Sequence, residues 1–295
     1  MDLGATTLRA RAGVGAEWSE RRVALGDRSG AEGLDLLCDT IIELARSLGS
    51  RPAALTMSAA ATVDVDGRIL RWPNRPDWAG LPLRSRLSDT LDCPIMIDDD
   101  GNLAALSEAE LAGVEDLVYL GVGTGVGGGV VLGGRLLRGH TGRAGEFGHL
   151  RVSDDGPPCT CGRLGCLQAY ACGPAVLSRA FPGRPDARAE HLLTALNDRD
   201  PRASAAIDAA ALALARVIAD LGELFDPARV SVGGGFADAV PPLLARTREH
   251  LPGFVRAGSR VPPIFSAAAG PDSSLDGAAL LAQRAAASAT RRSAS

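Results

Sequence analysis

Apolar residues follow two different periods along this chain. Short apolar runs bounded by glycine, proline or acidic residues are typical of buried strands, and longer stretches repeat apolar residues at helical spacing. The clearest helix is predicted over 34–48, where Gly49 marks its end. Strands are predicted at 8–10, 18–25, 54–57, 68–70, 95–97, 117–122, 130–132 and 230–232. This alternation of strands and helices predicts an α/β fold.

A further helix is expected before Cys93, and alanine-rich helices are expected over 187–222. The tail after Gln283 is expected to fray. A strand followed by a glycine turn occurs three times, at 2–7, 123–125 and 233–235. The recurrence predicts two related halves around one nucleotide.

Glycine turns leave backbone N–H groups accessible, so each of these turns could bind a phosphate. Residues 123–128 also fit the dinucleotide motif G-x-G-x-x-G, but that motif requires a helix next and 130–132 is predicted as a strand. The Gly-Lys-Ser/Thr sequence of a P-loop is absent from the chain. The sequence fits neither of these motifs as well as it fits separate hairpin turns on two domains that bind the phosphates from both sides.

Composition narrows the class of partner. The chain has 295 residues, 46% hydrophobic and 4% aromatic, with a net charge of −4 and no lysine. Clustered positive charge of the kind that binds nucleic acid is missing, and no apolar run approaches the roughly 18 residues of a membrane helix. With no cleavable apolar leader visible, we expect a cytoplasmic protein without nucleic-acid or membrane partners.

One histidine and three cysteines lie close together, His149 followed by Cys159, Cys161 and Cys166, with Gly162 and Gly165 among them. This ligand set in tight turns is typical of a closed, four-coordinate structural zinc site. The alternative is a set of ordinary buried thiols. The remaining cysteines lie in apolar stretches and are expected in the core, at positions 38, 93 and 172.

Taken in order, the motifs resemble the ROK family of bacterial sugar kinases and related repressors over nearly the whole chain. The matching segments are Asp2-Leu3-Gly4-Ala5-Thr6, Asp100-Gly101-Asn102, the glycine-rich run 123–129, Glu146-Phe147-Gly148-His149 with the three cysteines, and Val232-Gly233-Gly234-Gly235. The resemblance implies the actin-like ATPase (ribonuclease H-like) fold, with a cleft between two α/β domains, 1–105 and 106–295. The last helix could pack back on the smaller domain.

The resemblance also implies a role for each matching residue. Asp100 stands at the catalytic-base position, although three acids after a strand could instead form a solvated, helix-capping turn. The sugar ligands would be Asn74, Asp99, Asp100, Glu146, His149 and Gln168. ATP, with Mg²⁺, would be bound by Asp2, Gly4, Thr6, Gly123, Thr124, Gly125, Gly233, Gly234 and Gly235. Zn²⁺ would hold His149 by one ring nitrogen while the other binds sugar.

Departures from the family pattern bear on the substrate. Family kinases usually carry Asn where this chain has Asp99, and Glu where it has Gln168. The added charge at Asp99 favours a cationic hexose phosphorylated on its 6-hydroxyl, a 3-amino sugar such as kanosamine, on which antibiotic-pathway kinases of the family act. Gln168 could instead indicate a C7-cyclitol of the valiolone type, and plain glucokinase activity remains open.

Other family members are repressors with an amino-terminal helix-turn-helix, for which this sequence leaves no room, so a regulator is not expected. A non-catalytic sugar sensor remains open because Ala5 and Thr7 replace the usual Gly and Lys. The replacement of the usual Gly-x-Pro-Gly turn on the sugar side by residues 58–61 is a further departure that bears on the substrate. Only Met1 precedes Asp2, so the first strand is either short or begins upstream. The resemblance implies a homodimer or homotetramer.

Overall fold

A computed structural model describes residues 1–4, 6–14, 17–59, 61–72 and 74–293. The strands are β1 (Asp2–Leu3), β2 (Thr7–Val14), β3 (Glu17–Ala24), β4 (Leu55–Ala59), β5 (Thr62–Val63), β6 (Ile69–Arg71), β7 (Ile95–Asp98), β8 (Leu117–Val122), β9 (Val126–Leu132), β10 (Arg135–Leu136), β11 (Arg229–Gly233) and β12 (Ile264–Ser266). The helices are α1 (Gly30–Ser47), α2 (Leu83–Leu91), α3 (Asp100–Ala112), α4 (Leu167–Ala171), α5 (Gly173–Ala180), α6 (Ala189–Asn197), α7 (Pro201–Phe225), α8 (Gly235–Ala239), α9 (Pro241–His250) and α10 (Ser273–Ser293).

The first of two compact units contains the described residues of Met1–Ser107, Arg138–Arg143 and Asp272–Ser295. Its sheet has the order β3-β2-β1-β4-β7, in which β2 is antiparallel to both β3 and β1, whereas β1, β4 and β7 are parallel. Apolar side chains of α1 and α2 cover this sheet together with Trp72 and Trp78, whose rings meet edge to face at 5.1 Å. The carboxyl ends of the parallel strands therefore lie together on a rigid sheet, where ligands of open α/β sheets bind.

The second unit contains Glu108–Leu137 and Ala144–Pro271. Its sheet has the order β10-β9-β8-β11-β12, in which β9 is antiparallel to both β10 and β8, whereas β8, β11 and β12 are parallel. The long helix α7 buries a face of small and branched residues in this core, among them Ala210, Leu214 and Ile218. Alanine on that face lets the helix backbone approach its neighbours closely.

The two sheets have the same topology. In each sheet the first strand in sequence lies at the centre, the next two strands follow on one side through antiparallel pairings, and two later strands pair in parallel on the other side. This confirms the predicted α/β class and the two related halves. The predicted domain boundary at residue 105 falls inside α3, close to Ser107, and the first unit also includes Arg138–Arg143.

The alanine-rich helices predicted over 187–222 are α6 and α7, which are separated where Arg199 has a positive φ of 59° and where Asp200 caps α7. Two other sequence predictions were wrong in detail. Strand β9 begins at Val126, because Val126 pairs with Val122 and closes the hairpin turn at Gly123–Gly125. Helix α10 continues to Ser293 instead of fraying after Gln283, since its alanines have the highest helix propensity.

Candidate active site and metal centre

Three consecutive acids end β7 and begin α3, and each has a different environment. Asp98 is buried, with its side chain 4% exposed. Its Oδ2 accepts a hydrogen bond from Arg138 Nε at 2.5 Å, and its Oδ1 accepts from Asn102 Nδ2 at 2.7 Å and from the Asp99 backbone N–H at 3.1 Å. The negative charge of Asp98 is therefore compensated inside the unit.

Asp99 caps the amino terminus of α3. Its Oδ1 accepts the Asn102 backbone N–H at 2.7 Å, and its Oδ2 accepts Asn102 Nδ2 at 3.3 Å. An acidic cap satisfies a helix N–H and complements the positive end of the helix dipole. The sequence left open whether Asp100 belongs to a helix-capping turn. The structure has that turn, and Asp99 is the residue that caps the helix.

Asp100 has an exposed side chain at the first position of α3. Among the described residues we identify no hydrogen bond to its carboxylate. Burial, followed by the negative charge of Asp100, raises the pKa of the Asp2 carboxyl, against the opposing charges of the chain's amino group and Arg9. Asp2, which pairs with Ser58 next to Asp98, and Asp100 therefore share one electrostatic environment.

The predicted phosphate-binding glycines lie in hairpin and strand-end turns. In the first unit, Gly4 and Thr6 belong to the β1–β2 turn, in which the Gly4 N–H donates to Thr7 O at 3.0 Å; Ala5 is outside the described residues. The replaced turn at 58–61 is partly strand, since Ser58 and Ala59 belong to β4, and residue 60 is likewise outside the described part.

The second unit brings its two predicted loops together. Gly123, Thr124 and Gly125 form the β8–β9 turn, in which Gly123 N–H donates to Gly125 O at 2.9 Å. Gly234 has a φ of 94°, and a β-carbon built on it would lie 2.7 Å from Val122 N. Only glycine suits that conformation and approach, so Gly233–Gly235 adjoins the end of β8.

Asn74 lies in an irregular segment before the short helix Pro76–Trp78, and its side chain is exposed. Glu146 is also exposed and precedes a short helix over Phe147–His149. A β-carbon on Gly148 would lie 2.0 Å from Val126 O, so the backbone of this segment rests directly on β9. That contact fixes the position of the Glu146 and His149 backbone.

The four predicted metal ligands converge: His149, Cys159, Cys161 and Cys166 place their ligand atoms within 4.8 Å of one another. Cys159 Sγ is 3.7 Å from His149 Nδ1, and Cys161 Sγ is 3.7 Å from Cys166 Sγ. Tetrahedral Zn–S bonds of about 2.3 Å imply about 3.8 Å between ligand atoms. The residues therefore fit a four-coordinate zinc, with Nδ1 the nitrogen that faces it.

The thiols of the cluster have different electrostatic environments. Hydrogen bonds from Arg163 lower the pKa of the Cys161 thiol to about 6, whereas burial raises the pKa of Cys166. A β-carbon on Gly165 would lie 1.8 Å from Ser153 O, so the tight turn before Cys166 requires glycine, which has a φ of 69° here. The spacing of glycines and thiols in the sequence reflects this geometry.

Gln168 contacts the cysteine cluster. Its Nε2 donates to Cys159 Sγ at 3.3 Å and to Thr160 Oγ1 at 3.1 Å. A hydrogen bond to a ligand sulfur orients that ligand from outside the coordination sphere. Sequence reasoning did not anticipate this contact, nor the pairing of Arg138 with Asp98, which joins residues forty positions apart.

Comparison with known proteins places these motifs in a family. The ROK family model matches residues 1–285. A kanosamine kinase from Amycolatopsis mediterranei is 38% identical, over 96% of this chain and 94% of that protein. A ROK hexokinase from Thermus thermophilus has a TM-score of 0.84 at 33% identity, covering 95% of both chains. A ROK glucokinase from Streptomyces griseus, solved with glucose and AMPPNP, has a TM-score of 0.74 at 30% identity, covering 96% of this chain and 98% of that one.

In the described part of the chain, none of the helices is both long enough and apolar enough to cross a bilayer.

Proposed function

We propose that this chain, which belongs to the ROK family, is an ATP-dependent kinase that phosphorylates the primary 6-hydroxyl of a glucose-like hexose, preferentially a 3-amino sugar such as kanosamine. The three relatives described above are sugar kinases, and the one that matches 96% of this chain at 38% identity is a kanosamine kinase. The observation that carries the kinase proposal is the exposed carboxylate of Asp100, next to two acids already engaged in hydrogen bonds.

Asp100 would act as the general base. A sugar hydroxyl is a weak nucleophile, and a carboxylate within hydrogen-bond reach can orient it and accept its proton. The sugar O6–P bond forms as the bond between the γ-phosphorus and the β,γ-bridging oxygen breaks; the hydroxyl proton goes to Asp100 and ADP leaves. A base that must accept a proton benefits from having no competing donor, which is the state of Asp100 in the described structure.

The glycine turns would hold the nucleotide. Gly4 and Gly123 shape the two turns, and their own N–H groups are bonded within them. The backbone N–H groups of Thr6, Thr124 and Gly125 suit the phosphates, and Gly233–Gly235 suits the nucleoside. Mg²⁺ that arrives with ATP would neutralise phosphate charge, and Asp2 offers the kind of oxygen ligand it prefers. Because the charge of Asp100 raises the pKa of Asp2, a cation near both carboxylates would relieve their repulsion.

Zinc would serve the sugar site by fixing His149. Metal on Nδ1 leaves Nε2 available as a hydrogen-bond donor to a sugar hydroxyl, as the carboxylate of Glu146 is available as an acceptor. When bound, the metal supplies structural restraint to the turn over 159–166. Asn74 would contribute a further amide to the sugar.

Charge supports an amino sugar. Arg138 compensates Asp98, and Asp2, Asp99 and Asp100 place three further carboxyl groups in the same region of the sheet. The Asp99 carboxylate, which accepts two hydrogen bonds from Asn102, places a negative charge where an asparagine would carry none. A substrate ammonium would add a charge-assisted hydrogen bond there.

A second candidate is plain glucokinase. Asparagine can cap a helix as well as aspartate can, so the capping contacts of Asp99 have a purely structural explanation. The solved Streptomyces griseus glucokinase contains glucose. The contacts of Gln168 with Cys159 and Thr160 likewise explain that residue without an altered substrate, which lessens the case for a cyclitol.

An ATP-coupled assay tests the proposal. Turnover would be measured with glucose, kanosamine, glucosamine, N-acetylmannosamine and a valiolone-type cyclitol, with Asp100→Asn as the matched inactive control. We expect turnover of the hexoses, fastest with kanosamine. Sugar binding without ADP release in the wild type would instead identify a sugar sensor, and turnover of the cyclitol alone would identify a cyclitol kinase.

A further inference from the structure

The segment Arg138–Arg143 belongs to the first unit, although the residues on both sides of it, Leu137 and Ala144, belong to the second. The chain returns to the second unit two residues before Glu146. Arg138 is the first residue of this segment, and its guanidinium donates to the buried carboxylate of Asp98. Arg138 itself is 41% exposed in its side chain, whereas Asp98 is 4% exposed.

Asp98 connects this arginine to the start of α3. The Asp98 oxygen that does not face Arg138 accepts hydrogen bonds from the Asn102 side chain and from the Asp99 backbone. The same Asn102 is bound by Asp99 through both its backbone and its side-chain amide. Asp100 lies between Asp99 and Asn102 in sequence, and both of these residues donate a hydrogen bond to the carboxylate of Asp98.

We propose that Arg138 and Asp98 form a positioning pair that fixes the orientation of Asp100. This inference rests on the proposed function of Asp100 and goes beyond it, because neither Arg138 nor Asp98 would touch the substrate. Arg138 compensates the buried charge of Asp98, and the compensated carboxylate then holds Asn102 and the first turn of α3. The pair also anchors the segment Arg138–Arg143, which precedes Glu146 in the chain.

Loss of the arginine leaves Asp98 buried with its charge unpaired. Such a carboxylate either takes up a proton or draws in water, and in both cases its hydrogen bonds to Asn102 and Asp99 change. A displacement of the base by about 1 Å can lower turnover by roughly 100-fold. Nucleotide binding, which we assign to the glycine turns, does not depend on this pair.

The experiment compares Arg138→Gln, Arg138→Lys, Asp98→Asn and the double variant Asp98→Asn/Arg138→Gln with wild type. Arg135→Gln, an exposed arginine in the neighbouring strand β10, is the matched control. We expect Arg138→Gln to lower kcat about 10- to 100-fold with the KM for ATP within about twofold. Lysine at 138 should restore part of kcat because it keeps the charge. The double variant should lose less than the product of the two single losses.

Hydrogen exchange measured without substrate keeps the test independent of the kinase assignment. Arg138→Gln should increase exchange in peptides covering 98–103 and 138–146, while the Arg135→Gln control matches wild type. Unchanged exchange in those peptides, or a kcat above half of wild type in Arg138→Gln, would overturn the positioning pair. Wild type that turns over no sugar, combined with increased exchange in the variant, would overturn the proposed function and leave the pair standing.

Discussion

Gly277 of α10 lies directly against the backbone of Leu103 in α3: a β-carbon built on Gly277 would be 1.8 Å from the Leu103 carbonyl oxygen. Both residues belong to the first unit, and Leu103 is in the turn of α3 that follows Asp100. Helix α10 therefore packs on the first turns of α3 with no space for a side chain at this point. The proposed catalytic base stands on a helix that is held by its immediate packing.

Gly277→Ala should destabilise the protein. Alanine is worth up to about 1 kcal/mol more than glycine inside a helix, but overpacking against backbone costs about 1–3 kcal/mol or more. We expect the overlap to prevail and the Tm to fall by several degrees. The control is Gly253→Ala, where an added β-carbon meets no atom within 4 Å. Equal Tm values for the two variants would contradict the close packing.

The ion pair of Arg9 with Asp272 predicts a pH-dependent stability. A hydrogen bond from Arg9 lowers the pKa of the Asp272 carboxyl, and Arg11 adds a second positive charge nearby. A lowered folded-state pKa contributes stability that is present above the ordinary pKa of about 3.9 and is lost as the pH falls through the folded value.

Thermal unfolding of wild type and Asp272→Asn tests this directly. The Tm of the variant should lie below wild type at pH 6, and the gap should close as the pH falls below about 4. Asp27→Asn changes an exposed aspartate of the same unit and serves as control. A gap that is constant from pH 7 to pH 3 would show that the ion pair does not produce the difference.

Much of this arrangement could be predicted from sequence because it depends on neighbours in the chain. The cysteine cluster can be recognised from the spacing of His149, Cys159, Cys161 and Cys166, and the strand 117–122 can be recognised from its run of apolar residues. The Arg138–Asp98 pair could not be predicted, since no local pattern indicates which arginine compensates a buried acid forty residues away. The capping role of Asp99 was open for a different reason: it is a local contact, but a run of three acids does not reveal which one caps the helix.

Zinc content provides a further prediction. Metal analysis should find about one zinc per chain, and Cys161→Ser should lose the metal and lower the Tm, because a bound ion would restrain the turn around Cys159 and Cys166. Cys93→Ser changes a thiol outside the cluster and should keep its zinc. Wild type purified without zinc, or Cys161→Ser with full zinc content, would contradict the assignment.

Asp100→Asn tests the base. The variant should bind sugar and ATP but turn over about 10²- to 10⁴-fold more slowly, the usual contribution of a general base. Removing this charge should also lower the pKa of Asp2, because the charge of Asp100 raises it in the wild type. A kcat above one tenth of wild type would show that another group accepts the proton.

The ratio of kcat/KM for kanosamine to kcat/KM for glucose tests the central claim most directly. A charge-assisted hydrogen bond from the ammonium to Asp99 is worth about 1.5–3 kcal/mol, so the wild-type ratio should reach about 10 to 100. Asp99→Asn keeps a helix cap and should therefore fold normally while its ratio falls towards one, chiefly through loss of kanosamine activity. Equal kcat/KM for the two sugars in the wild type would contradict the account and identify Asp99 as a helix cap alone.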